Sequence, residues 1–594
     1  MARKLSVGNQ DFDNVIENDN FYIDKTKFIE EWWSSNDRVT LITRPRRFGK
    51  TLMMSTVNCF FSDRYAGRKD LFDGLCISQN RKMMDLQGAY PVVFLSFSDC
   101  KNEENVIGKP LKGYSDMVKE IKRKISQLYK QFPEILESDE VSEEEKNKFL
   151  RIREFKDEEQ FTTGMMNHSI QFLCELLCRI SGKKPIVILD EYDTPLQEAY
   201  SSGYWKLLIQ TMRSFFNKSF KTTRFLEKAL ITGITRVSKE SLFSDVINFN
   251  SYSVTSEQYA DCFGFTEKEV FNALDEYGMP DQKQKVKNWY DGFVFGSRKE
   301  IYNPFSIASF LHEKLFKTYW ADTASYALVS ELIRNGGFEA RDDFLQLMKG
   351  EKIKRVINEN IVYGTLGNQA GAIWSLLLCS GYLKADEVQW DDENGESLDK
   401  PVYTLSITNR ETRIMFKDMV SDWFTDRGDT TAYNLFIAAL LNYDIPGLNV
   451  SLNTMSLQSF SYFDTANKTP EAFWQGVLIG LAISLGGKYR ITSNRTAGYG
   501  IYDLQLKPRD KSMQAFVIEV KSIDTTKKTR LKEETQLKRA VKEALKQIED
   551  KKYYAELVAE GYPLIRKLGI AFRGQKCLVG DAESTGRTNR NVHR

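Results

Sequence analysis

The stretch Leu41 to Thr51, LITRPRRFGKT, limits what this chain can fold into more than any other. An apolar run, Val39 to Ile42, leads into a turn that ends Gly49-Lys50-Thr51, and an apolar, helix-compatible segment, Leu52 to Phe61, follows. That order predicts strand, phosphate loop, helix. Backbone N–H groups at a helix N-terminus attract phosphate, and the helix dipole adds to the pull. Gly49 lets the backbone come close, Lys50 reaches the β and γ phosphates, and the Thr51 hydroxyl holds Mg²⁺. The match to G-x-x-x-x-G-K-[ST] is incomplete, because Arg44 stands where the first glycine belongs. Taken alone, the pattern also describes a turn between two core elements.

Two later stretches narrow the choice. Pro185 to Asp193 reads PIVILDEYD, and its run Ile186 to Leu189 predicts a buried strand of the parallel-sheet kind. Asp190 and Glu191 sit at its C-terminal end, where open α/β sheets bind ligands. Asp190 suits the Mg²⁺ brought by Thr51, and Glu191 suits polarisation of an attacking water. The alternative is a strand that ends in a solvated acidic turn. Ala229 to Arg236, ALITGITR, is a third short strand, ending in Thr232 and Thr235 with Arg236 beyond. Thr232 is placed to sense the γ-phosphate, and Arg236 or Arg213 is a candidate for charge on the transferring phosphoryl group. A surface or salt-bridge residue is the favoured reading of either arginine.

RPRRFGKT, LDEYDTP and TGITRVSKESLFS together resemble the AAA-ATPase-like family found in many bacterial chains. FYIDKTKFI, FGFTEKEV, WYDGFVFG and IYNPFSI carry the resemblance further, so that it covers roughly residues 5 to 580. In that family an arginine at the first loop glycine is usual, and a C-terminal PD-(D/E)XK nuclease domain often follows. The resemblance implies ATP and Mg²⁺ as cofactors. Arg47, Phe48, Gly49, Lys50, Thr51, Asp190, Thr232 and Arg236 form the candidate nucleotide set, with Glu191 as the catalytic group.

The rest of the chain sets bounds. At 594 residues it is too long for one core and suggests about three domains. A net charge of +2 gives no global polyelectrolyte character, so charge has to be read locally. The eight cysteines contain no CxxC pair, and Cys174 and Cys178 share an amphipathic helical pattern that reads as core. His168, His312 and His593 lie far apart, which argues against a histidine metal centre or a Ser-His-Asp mechanism. No apolar run reaches 18 residues and no signal peptide opens the chain. The expected protein is soluble, reduced and cytoplasmic, with no membrane contact.

A second constellation lies near the C-terminus. Thr469-Pro470-Glu471 opens a helix, with Thr as N-cap and Pro at the first position. Gly498 to Asp503, GYGIYD, places a carboxylate on a strand, and Ala515 to Val520, AFVIEV, is a buried strand running into Lys521. Residues two apart on a strand share a face, so Glu519 and Lys521 point the same way. Two carboxylates and a lysine on neighbouring strands suit metal-dependent phosphodiester hydrolysis. Asp503 and Glu519 would hold Mg²⁺ or Mn²⁺, Lys521 would position or deprotonate the water, and Glu471 would assist from its helix. A half-buried strand with surface charges would also contain E-x-K. The D-x15-E-x-K spacing resembles the PD-(D/E)XK core, and Gln547 lies where that family carries a glutamine. The helix expected over Lys532 to Tyr553 has one apolar face, and residues 461–580 hold 22 Lys/Arg against 13 Asp/Glu. Backbone phosphate binding is one use of that excess, and a solvated basic face is the other.

The fold class expected is therefore α/β. It comprises an AAA-like P-loop domain with a parallel sheet over 1–254, a helical lid over 255–320 and a mainly helical middle domain over 321–460. A PD-(D/E)XK nuclease-like α/β domain follows over 461–580, with an unpatterned tail over 581–594. The function expected is ATP binding and hydrolysis coupled to a nuclease, with nucleic acid as partner, DNA favoured over RNA. The fold leaves room for a homo-oligomer. The rival is a nucleotide-switched interaction protein whose nuclease-like domain binds nucleic acid without cutting it.

Overall fold

The computed structural model describes the chain except residues 1, 103–107, 157–158, 222, 238–241, 244–245, 247–248, 322–328, 331, 334–337, 362–370, 392–396, 424–430, 460–473, 475–477, 479–480, 483–484, 486–487, 498, 525–530 and 584–594. The chain gathers into two compact units. One is Met1–Asn335 with Lys354–Thr412, and the other is Gly336–Ile353 with Arg413–Arg594. The stretch 321–460, expected as one middle domain, is thus divided between them.

The first unit is built on a parallel sheet of five strands: β1 (Val39–Thr43), β2 (Val92–Ser96), β3 (Ile186–Asp190), β4 (Lys228–Gly233) and β5 (Phe249–Tyr252). Their order across the sheet is β2-β3-β4-β1-β5, and every pairing is parallel. Strands covered on both faces need near-continuous apolar runs, and β1 and β3 are buried at all five positions. β4 lies between β1 and β3. The strand feeding the phosphate loop and the strand ending in Asp190 therefore flank the one that carries Thr232. The amphipathic helix Lys27–Ser34 buries Phe28, Ile29 and Trp32 against this core. Helices Thr163–Ser181 and Trp205–Phe220 form where their apolar spacing puts them.

The region 255–320 departs from an all-helical lid. Helices Glu267–Glu276, Lys283–Tyr290 and Pro304–Glu313 surround a three-stranded antiparallel sheet of β6 (Phe265–Thr266), β7 (Asp291–Phe295) and β8 (Arg298–Tyr302), with β8 in the middle. Phe293 and Phe295 alternate with Val294, and both phenylalanines are buried. That two-residue period is too short to stand out among the helical aromatics around it. The polar stretch Gln389 to Lys400 falls in an antiparallel hairpin of β9 (Leu383–Asp391) and β10 (Ser397–Ile407).

The second unit carries β11 (Tyr489–Ala497), β12 (Gly500–Pro508), β13 (Ala515–Ser522), β14 (Ile565–Arg573) and β15 (Lys576–Gly580), in that spatial order. Only β13 and β14 pair in parallel. Helix Glu533–Asp550 makes the crossover between them and buries Leu537, Ala540, Val541, Ala544 and Ile548 on the sheet. These are three- and four-residue spacings, as the apolar stripe of a covering helix requires. The other face of the sheet, with Leu504, Leu506 and Ile518, meets Phe436, Leu440 and Leu448.

Candidate active sites

The loop after β1 enters helix Lys50–Phe61 through Gly49, which has φ 77°. A Cβ there would touch nothing within 4 Å, so the requirement for glycine is torsional. Arg47 also adopts a positive φ, 63°. The N–H groups of the first helical turn have no intrahelical acceptor and are left to an anion.

Arg44, which stands at the first glycine of the loop pattern, has a structural role. Its side chain is fully buried and donates to four backbone carbonyls: Thr43 at 2.9 Å, Tyr252 at 3.2 Å, Ser253 at 2.7 Å and Tyr259 at 2.9 Å. It lies over the Phe295 ring at 4.9 Å, and burial pulls its guanidinium down to about 10. Phe48 is buried between Phe293 at 4.7 Å and Phe295 at 5.3 Å, so its side chain anchors the loop. The exposed Arg47 guanidinium sits over Phe305 at 4.9 Å. Trp320 Nε1 and Asn303 Nδ2 both donate to the Arg46 carbonyl, at 3.1 and 3.3 Å. A phosphate loop is thus clamped from the β6–β8 side.

Lys50 is buried, and its Nζ donates to the carbonyls of Arg44 at 3.0 Å and Pro45 at 2.8 Å. Burial lowers its pKa, against the opposing pull of Glu191, Asp190 and Asp193. Thr51 Oγ1 donates to Asp190 Oδ2 at 2.8 Å, and Thr232 Oγ1 donates to the other oxygen. Burial pushes the Asp190 carboxyl up, and the two hydroxyls hold it back down. A hydroxyl and a carboxylate at this separation suit Mg²⁺, which takes one or two protein oxygens and completes its shell with water and phosphate. Glu191 follows with φ 52°, a conformation that costs a non-glycine residue about 1 kcal/mol or more, and its carboxylate accepts from Thr194 Oγ1 at 3.2 Å.

Asp193 is a residue the sequence reading passed over. It is buried and accepts from Thr235 N at 2.8 Å, Thr235 Oγ1 at 2.7 Å, Ile234 N at 3.1 Å and Gln197 Nε2 at 2.9 Å. A Cβ on Gly233 would come within 2.6 Å of both Asp193 Oδ1 and Tyr192 Cε1. The turn after β3 and the turn after β4 are therefore locked flush. The only signal was the second aspartate of DEYD, three positions after Asp190. Arg236 lies in register with Asn360, and among the described residues no hydrogen bond joins it to Lys50, Asp190 or Thr232. Arg213 is exposed on helix Trp205–Phe220.

In the second unit, Asp503, Glu519 and Lys521 come together at one end of the sheet. Lys521 Nζ lies 3.1 Å from Glu519 Oε1, and Glu519 is buried while Lys521 is 22% exposed. Asp503 lies on β12 just past its last pairing with β13, Leu504 with Ile518, and the register against β11 is unbroken on either side of it. The Asp503 carboxylate accepts the Val520 N–H at 2.6 Å, which ties the two strand ends together.

Gln547 Nε2 donates to Tyr553 OH at 3.0 Å, and Gln505 Nε2 donates to the Tyr553 carbonyl at 2.6 Å. Burial raises the Tyr553 phenol, the Gln547 bond lowers it, and the charges of Glu519 and Asp503 raise it again. Tyr553 therefore faces the acidic pair as a neutral phenol, and it too was missed. Two carboxylates fit Mg²⁺ or Mn²⁺, held by Asp503 and Glu519 with water. Among the described residues no group of three His, Cys, Asp or Glu gathers as a metal cage. Glu471 lies outside the described residues, as do Lys527, Lys528 and Arg530 of the basic excess over 461–580.

Comparison with known proteins matches two regions of the chain to family models. Residues 6–243 match the AAA-ATPase-like family model, described as a predicted AAA-ATPase, and residues 469–582 match a model of the PD-(D/E)XK nuclease superfamily. A protein of Azotobacter chroococcum mcd 1, described as an uncharacterized protein in the vnfD 5' region, is 23% identical over 590 residues. The match covers 97% of this chain and 98% of that protein. Among the described residues no helix is long and apolar enough to cross a membrane.

Proposed function

We propose that this chain, an AAA-ATPase-like domain followed by a PD-(D/E)XK nuclease superfamily domain, binds and hydrolyses ATP and couples that cycle to cleavage of nucleic acid. Lys50 leaves its two loop carbonyls for the β and γ phosphates, and Thr51 with Asp190 holds Mg²⁺. Glu191 orients the attacking water, and Thr232, bonded to Asp190, reports the γ-phosphate to β4. Arg47 and Phe48 shape the loop, and Arg236 supplies positive charge from beyond β4.

In the nuclease domain Asp503 and Glu519 hold Mg²⁺ or Mn²⁺, aided by Glu471, while Lys521 and Gln547 place the water and the phosphate. The metal supplies Lewis acidity there, lowering the pKa of its water and offsetting charge on the phosphoryl oxygens. The observation that carries the reading is the Lys521–Glu519 pair beside an Asp503 fixed by Val520 N–H. DNA is favoured over RNA, in the cytoplasm, with self-association compatible with the fold.

The test is cleavage of single- and double-stranded DNA and RNA, with and without ATP, in Mg²⁺, Mn²⁺ or EDTA. Cleavage is expected with either metal, absent in EDTA, and altered by ATP in the parent but not in Lys50→Ala. Cleavage that persists in EDTA would overturn the nuclease reading.

A further inference from the structure

The antiparallel pairing of β12 with β13 puts the start of β12 at the end of the sheet that carries Glu519 and Lys521. Two large apolar side chains are left in solvent there. Tyr499 is 72% exposed and Ile501 is 59% exposed, although Tyr502 next to them is buried. The position of Tyr499 is fixed by its backbone, since its N–H donates to the Lys551 carbonyl at 2.8 Å. Gly500 keeps the strand tight against the site: a Cβ there would lie 3.1 Å from Tyr553 Cε1 and 3.2 Å from its hydroxyl. Tyr553 in turn feels the charges of Asp503, Glu519 and Lys521. The exposed ring is thus one residue removed from the wall of the candidate active site.

The charges around it point to an anion. Lys551 and Lys552 are exposed in the turn that holds Tyr499, and the Lys552 ammonium lies 5.7 Å from the centre of its ring. An exposed aromatic face on a rigid backbone, flanked by cations, matches a base-stacking platform with phosphate contacts on either side. A second protein would be expected to cover a wider apolar patch than these two side chains offer.

We propose that Tyr499 stacks on an unpaired base of the nucleic-acid strand next to the scissile phosphate, with Ile501 beside it and Lys551 and Lys552 on the flanking phosphates. The site therefore prefers a strand whose bases are exposed over a continuous duplex. This rests on the nuclease reading of Asp503, Glu519 and Lys521.

The experiment uses the full chain carrying Asp503→Asn, so that binding is read without cleavage. The probes are single-stranded DNA and RNA oligonucleotides and a DNA duplex, each labelled with 2-aminopurine. The tyrosine variants are Tyr499→Ala, Tyr499→Phe and Tyr499→Trp. Tyr499→Ala should lose about tenfold or more in single-strand affinity, the scale of one base–aromatic stack, together with the fluorescence quench. Tyr499→Phe and Tyr499→Trp should retain both, and duplex affinity should change much less. Tyr499 is 72% exposed and its ring lies near Lys552, so its removal should leave the fold intact. Single strands bound and quenched by Tyr499→Ala as by the parent would overturn the stacking proposal and leave the nuclease reading standing. An equal loss on duplex and single strand would also overturn it, because the residue would then serve the backbone alone. If the tyrosine parent binds no nucleic acid and the unmutated chain cuts none, both readings fail.

Discussion

Each candidate site puts a lysine near a buried carboxylate, and the two lysines are held differently. Lys50 donates to carbonyls of its own loop, and its neighbour Asp190 is satisfied by two threonine hydroxyls. Lys521 is paired directly with Glu519. A phosphate arriving at the first site offers Lys50 charged acceptors in place of neutral ones, so the exchange favours the ligand. At the second site a cation taken up by Glu519 competes with Lys521 and releases it. On the proposed function the first lysine would recognise a phosphate, and the second would be released when a metal is bound. The scaffolds differ as well. The loop after β1 is held by side chains that reach distant parts of the sequence, whereas the Asp503–Glu519–Lys521 cluster needs only two adjacent strands.

The largest effect should come from breaking the second site. Asp503→Asn removes a metal ligand's charge while its amide carbonyl can still accept the Val520 N–H, so the fold survives. Cleavage should fall about a thousandfold or more, with nucleic-acid binding equal or tighter because a charge repelling phosphate is gone. Calcium should support binding without turnover. Wild-type cleavage rates in Asp503→Asn would show that nuclease activity resides elsewhere. Lys521→Ala should keep the metal and lose about a hundredfold in rate. If instead it lowers metal affinity and leaves the rate at saturating metal unchanged, the ion pair is structural and the contrast with Lys50 collapses.

The nucleotide site should respond in affinity. Lys50→Ala should weaken Mg-ATP binding about tenfold to a hundredfold, the worth of a charge-assisted bond. Glu191→Gln should leave binding intact and slow hydrolysis about a hundredfold, because Asp190 and Thr51 are untouched. Equilibrium binding of a fluorescent ATP analogue separates the two. An Lys50→Ala protein that binds as the parent does would remove the phosphate-loop reading.

Arg44 sharpens the contrast between a distant and a local scaffold. Arg44→Gly completes the phosphate-loop motif in sequence, yet it strips donors from the Thr43, Tyr252, Ser253 and Tyr259 carbonyls. Leaving such groups unsatisfied in the interior should cost roughly 3 kcal/mol and lower the thermal midpoint by several degrees. A variant with an unchanged midpoint and tighter ATP binding would mean that the arginine merely replaces a glycine. This residue also marks where sequence reading stops. The strand, loop and helix around Gly49, the Asp190 strand and the Glu519–Lys521 strand are written in local periodicity and were legible. Arg44 has three of its four acceptors more than two hundred positions away, and no local pattern reports them. Asp193 looked like an ordinary turn carboxylate because its partners, Ile234 and Thr235, lie beyond a helical excursion and β4. Tyr553 closed the helix expected over Lys532 to Tyr553, where the family resemblance drew attention to Gln547 instead; the helix ends at Asp550 and leaves Tyr553 in the turn beyond it. The bond from Val520 N–H to the Asp503 carboxylate is invisible in GYGIYD, since it forms only once β13 lies beside β12.

The smallest effect should be on the basic helix, and here the structure tempers the charge count. Lys538 is paired with Glu534 and Arg539 with Glu543, each four residues along the exposed face. Lys542 and Lys546 are exposed with no acidic partner among the described residues. Exposed pairs of this kind are worth at most about 1 kcal/mol, so Lys538 and Arg539 remain able to turn to phosphate, at a small cost that Lys542 does not carry. Lys542→Ala alone should therefore weaken binding more than Lys538→Ala. Removing Lys538, Arg539 and Lys542 together should reduce the slope of log affinity against log salt by no more than about 2.7, the limit for three phosphates on duplex DNA. The loss should be the same on every duplex sequence, because phosphate contacts carry no base information. It should also appear on duplex and single strand alike, unlike the loss from Tyr499→Ala. An unchanged salt slope would mean that this helix faces away from nucleic acid and that its charges only solvate it.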